Sequence, residues 1–103
     1  MEISFSEKNF NEVFAIYRSV NRSHWKIPIF SEVKDVLDQN NIYEFTSGPK
    51  DNWTSKLVII KDNNKLKVDF LVNENSLDKI KKEVLIMKQK FLNELNLKFK
   101  DGQ

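Results

Sequence analysis

Between positions 55 and 72 the chain alternates in a way that leaves few folds open. Leu66, Val68, Phe70 and Val72 are interleaved with Lys65, Lys67 and Asp69. Successive side chains of a strand point to opposite faces, so this stretch reads as a strand with one buried and one solvated face. The run Leu57-Val58-Ile59-Ile60 is apolar at every position. That pattern, apolar on both faces, suits the middle strand of the sheet. Asp62-Asn63-Asn64 joins the two segments, and Asn tolerates the positive φ that tight hairpin turns require. Residues 55–61 and 65–72 are therefore expected to form an antiparallel hairpin. Ile42 to Thr46 adds a short strand, followed by the turn-rich loop Ser47-Gly48-Pro49-Lys50-Asp51-Asn52.

A sheet with one apolar face needs a cover, and the flanking segments supply it. From 76 to about 98 the spacing predicts a long helix. Leu77, Ile80, Val84, Met87, Phe91 and Leu95 make one stripe, widened by Leu85, Leu92 and Phe99, and Ser76 stands where an N-cap would. Residues 6–21 read as a helix too, because Phe10, Val13, Phe14, Tyr17 and Val20 recur at three- and four-residue steps. Ser4 and Glu7 have capping-box spacing, with Ser6 as the alternative cap. Pro28 breaks the pattern and favours extended chain over 22–30. A shorter helix is expected from about Ser31, with Val33, Val36 and Leu37 inward and a stop at Asn40 and Asn41. The order α-α-β-β-β-α implies an α+β fold: a three-stranded antiparallel sheet with helices packed on one face. At 103 residues the chain is one domain, 1–103.

Composition restricts the chemistry more than it suggests any. There is no cysteine, hence no disulfide, thiolate nucleophile or cysteine-based zinc site. Gly48 and Gly102 are the two glycines, too few for a phosphate-cradling loop or a dinucleotide fingerprint. His24 is the single histidine, so multi-histidine metal sites are excluded. Asp62-Asn63-Asn64 opens like a calcium loop, but Lys67 and Asn73 occupy the places of its essential Gly and Glu. The expectation is no enzyme, no cofactor and no metal. No signal-peptide pattern or membrane-length apolar run occurs, which predicts a cytoplasmic protein. Abundant Lys and Asn with scarce Gly fit an AT-rich bacterial or phage genome.

What remains are contact-forming residues. Arg18, Arg22, His24, Trp25 and Lys26 form a basic stretch with an aromatic, and no acid lies between Glu12 and Glu32. Such a group can hold phosphates with Trp25 stacked on a base, or meet an acidic protein surface, where Trp and Arg are frequent hot spots. Alternatively Trp25 belongs to the core and the charges stay solvated. Trp53 stands in a polar loop, either as a contact residue or as an anchor of the loop on the sheet. Ile86 interrupts the lysine-rich outer face of the last helix, beside Lys79, Lys82 and Lys90. A short, single-domain, cysteine-free chain without catalytic signatures has the profile of inhibitor-type proteins, such as toxin-immunity or phage counter-defence proteins. The expected function is thus a non-catalytic module that occludes a partner protein. The alternative is a nucleic-acid-binding or regulatory module using 18–26, which a net charge of only +2 does not favour. No membrane contact is expected, and a free sheet edge leaves room for a homodimer.

Overall fold

The alternation at 65–72 is realised as the sheet strand it implies. In the computed structural model, which describes residues 3–21, 28–48, 51–63 and 65–99, Ser55–Asp62 (β3) and Lys65–Val72 (β4) pair antiparallel. Asn63 sits at the turn with φ of 58°. Ile42–Ser47 (β2) pairs with the other side of β3. The sheet has four strands rather than three, because Ile3–Phe5 (β1) pairs with β4 in the order β1-β4-β3-β2.

The chain thus opens with a strand and not with a helix. The capping box expected at Ser4 and Glu7 does not form, since Ser4 lies within β1 opposite Lys67. Ser6 instead precedes a 3-10 turn, Glu7–Asn9, which leads into the helix Phe10–Val20 (α1). Phe30–Asn40 (α2) ends where Asn41 adopts a left-handed φ of 63°, the conformation that terminates helices. Asp78–Lys98 (α3) starts one residue later than expected. Leu77, not Ser76, takes the N-cap position, and it is 74% exposed rather than inward. Leu85 also stays exposed, so the apolar arc of α3 is narrower than its sequence suggests.

Register explains why only one sheet face is covered. Phe5, Leu57, Ile59, Leu66, Val68 and Phe70 point to the same side and are all buried. Against them pack Phe10, Val13, Phe14 and Tyr17 of α1, Val33 and Leu37 of α2, and Val84, Phe91 and Leu95 of α3. Aromatic rings carry the centre of this layer, with Tyr17 meeting Phe45, Phe70 and Phe91 edge-on at 5.6–5.9 Å. Each such side chain, fully buried, contributes about 1.5–3 kcal/mol.

Candidate functional site

Where α1 ends, a polar cluster interrupts the core. Tyr17, one helical turn earlier, is buried, and so are Asn21, Ser47 and Ser55. Asn21 Nδ2 donates to the Tyr17 hydroxyl at 3.1 Å, to Ser47 Oγ at 3.2 Å and to Ser55 Oγ at 3.3 Å. Tyr17 and Ser55 share a hydroxyl pair at 3.3 Å. Buried polar groups must be bonded or they destabilise the fold, and each side chain of this cluster is bonded to another of its members. Burial pushes the Tyr17 phenol above its ordinary pKa, against the opposing pull of Ser55 and Asn21.

The cluster has a topological consequence. Ser47 ends β2 and Ser55 begins β3, so they are the two feet of the loop that carries Trp53. Asn21 is the last described residue before segment 22–27. One amide therefore ties the base of the Trp53 loop to the point where the basic stretch leaves α1. In the sequence these are separate features, because nothing in the spacing of positions 21, 47 and 55 announces that they meet.

The loop itself is held at several points. Thr54 donates its N–H to the Ser47 carbonyl at 2.8 Å, and Asn73 Nδ2 donates to the Trp53 carbonyl at 2.8 Å. Gly48 has φ of 101°, and a Cβ there would lie 3.2 Å from the Asn52 carbonyl oxygen and 3.3 Å from Trp53 Cα. A side chain at 48 would thus be strained and crowded. Trp53 is half-buried, with Lys56 Nζ 4.5 Å from its ring centroid. That cation–π contact combines the two readings of Trp53: the backbone anchors the loop while the ring stays partly accessible.

Lys56 leads from the loop to the uncovered sheet face. Three cross-strand rows cross it, Thr46–Lys56–Leu71, Glu44–Val58–Asp69 and Ile42–Ile60–Lys67. Ile42 and Leu71 are exposed, Ile60 is half-buried and Val58 is buried. The charges are matched in pairs, Lys56 with Glu44 at 3.5 Å and Lys67 with Asp62 at 3.1 Å. The apolar patch is therefore framed by both signs.

Of the residues singled out from sequence, Arg18 is exposed on the last turn of α1 and Trp53 lies in the anchored loop. Arg22, His24, Trp25 and Lys26 lie outside the described residues, as do positions 22–27 of the extended chain expected over 22–30, whose last residue, Phe30, instead begins α2. Among the described residues no group of three or more His, Asp or Glu could hold a metal ion, and no helix is long and apolar enough to cross a membrane. Ile86 is 69% exposed on α3, as its place among lysines implied. Searches against protein-family models, curated proteins and solved structures give no match to this chain.

Proposed function

We propose that this chain is a non-catalytic protein-binding module of inhibitor type, which covers the active or substrate-binding surface of a partner protein. The observation that carries the reading is the tie at Asn21, which gathers the root of the Arg22–Lys26 stretch and the Trp53 loop at one end of the sheet. Aromatic and arginine side chains on an anchored base are the composition of interface hot spots, and a Trp53 backbone already held by Asn73 loses little entropy on binding. The open sheet face beside it extends the surface with an apolar patch framed by paired charges. A standard interface takes about 800 Å² per partner, a modest part of the 6789 Å² surface.

A nucleic-acid partner is the second reading, supported by the basic 18–26 stretch. It ranks lower because Lys56 and Lys67 on the open face are each matched by a carboxylate, which leaves no phosphate track there. Capture from a lysate of the source organism, with and without nuclease and at low and moderate salt, separates the two. Wild type is expected to retain a protein after nuclease and moderate salt. Trp53→Ala and Trp25→Ala are each expected to lose it with nearly unchanged melting temperature. Retention that disappears with nuclease transfers the proposal to nucleic acid, and retention indifferent to both substitutions removes this end as the site.

A further inference from the structure

A second feature lies at the opposite end of the sheet. β3 and β4 run from the Trp53 end, where Ser55 pairs with Val72, to the hairpin end, where Asp62 pairs with Lys65. Eight residues of strand separate the two ends, on the order of 25 Å. At the hairpin end a cavity of about 520 Å³ is lined by Ser6, Lys8, Asn9, Glu12, Lys65, Lys98 and Phe99. Four separate parts of the chain meet there: the turn after β1, the start of α1, the start of β4 and the end of α3.

The charge of this lining is unusual for the molecule. Among the described residues, three lysines against Glu12 leave an excess of +2, equal to the formal net charge of the whole chain. Glu12 is already engaged, with Lys98 Nζ at 3.0 Å and Asn9 Nδ2 at 3.2 Å. Its carboxyl is held below the usual range, first by the Lys98 hydrogen bond and then by that of Asn9. Among the described residues no carboxylate lies within 4 Å of the Lys8 or Lys65 ammonium. The Ser6 side chain makes no capping bond to the turn that follows it. Two unmatched ammonium groups and a hydroxyl thus border a concave space, with the nearly buried Phe99 ring as an apolar wall.

We propose that this cavity binds a phosphate monoester with an organic body of about nucleotide size. Two unpaired lysines suit a dianion better than a monocarboxylate, since lysine meets phosphate as a point charge. The volume lies in the range of small-molecule pockets, and the aromatic wall gives the non-phosphate part of the ligand an apolar contact. Glu12 positions Lys98 as a third cation and does not itself face a dianion unpaired. The inference stands apart from the protein-binding reading, because no residue is shared between the two ends.

Titration calorimetry of the full chain with adenosine 5′-monophosphate, adenosine and inorganic phosphate tests it. The monophosphate is expected to bind more tightly than either of the others. In Lys8→Ala/Lys65→Ala its affinity should fall by about tenfold or more. In Lys79→Ala/Lys82→Ala, which removes the same charge from the outer face of α3, it should be nearly unchanged. Both pairs are exposed, so circular dichroism and melting temperature are expected to match wild type in each. Equal loss in the two double variants would mean unspecific attraction of an anion to a basic chain and overturns the site. Equal affinity for phosphate and the monophosphate, or no binding of any probe, overturns it as well.

Discussion

Tyr17 joins the interior of the fold to its proposed function in a single side chain. Its ring is one of the largest in the core, while its hydroxyl belongs to the cluster that fixes the Trp53 loop. Tyr17→Phe keeps the ring but removes the hydroxyl that accepts from Asn21 and pairs with Ser55. Losing these two buried hydrogen bonds costs about 1–3 kcal/mol, a melting-point drop of roughly 5–15 °C for a chain of this size. The same residue responds to alkali. Its folded pKa is raised, so its contribution is fully present below the ordinary phenol value of about 10 and is lost as pH rises through the folded value. Tyr43 is raised by burial as well and acts with the same sign, so some alkaline loss persists without Tyr17. Chemical denaturation at pH 8 and pH 11 is the check: wild type should lose more stability between the two than Tyr17→Phe does. An equal loss in both would mean that the phenol ionises as freely in the folded chain as in the unfolded one.

At the scale of elements, what the sequence discloses depends on length and period. β4 is legible because four apolar residues alternate with three charged ones, and its observed span is the expected one. The interior place of β3 follows from Leu57–Ile60, and the body and end of α3 follow from a stripe several turns long. β1 is hidden because three residues are too few to establish a period, and because Ser4 and Glu7 imitate a helix start. Its worth lies in Phe5, which is 1% exposed, pairs with Leu66 and meets the Phe99 ring at 6.3 Å. Phe5→Ala should therefore cost about 3–5 kcal/mol, although local propensity alone assigns residue 5 no structural role. A loss below about 1 kcal/mol in urea unfolding would show that β1 pairs without supporting the core. The candidate site was legible in kind but not in assembly. Arg18 and Trp53 stand out by residue type, whereas the meeting of Asn21, Ser47 and Ser55 depends on separations of 26 and 34 residues that no local pattern carries.

Across the whole molecule the two ends of the sheet are held by different chemistry. At the Trp53 end the buried contact is the neutral Asn21 cluster, with the surface pairs Lys56–Glu44 and Lys81–Glu74 outside it. The hairpin end is held by ions: Lys98 on Glu12, and Asp38 of α2 bridging Lys34 at 3.0 Å and Lys61 at 2.6 Å. The Asp38 carboxyl is held below its ordinary range by hydrogen bonds from Lys61 and then Lys34, as Glu12 is by Lys98 and Asn9. A carboxylate with a depressed folded pKa stabilises above its unfolded value, and that contribution disappears as pH falls through the folded one. Acid below roughly pH 4 should thus loosen the hairpin end first, while the neutral cluster at the other end is indifferent to it. Both carboxylates are solvent-exposed, so the effect is modest and screened by salt. Melting temperature followed from pH 6 to pH 3 should fall more steeply for wild type than for Glu12→Gln/Asp38→Asn, and the gap should narrow in 1 M NaCl. Amide exchange at pH 3.5 should lose protection around Asp38 and Lys61 before it does around Asn21 and Ser55. Parallel melting curves, or uniform loss of protection, would mean that the ion pairs add nothing at this end and that one cooperative unit spans the sheet.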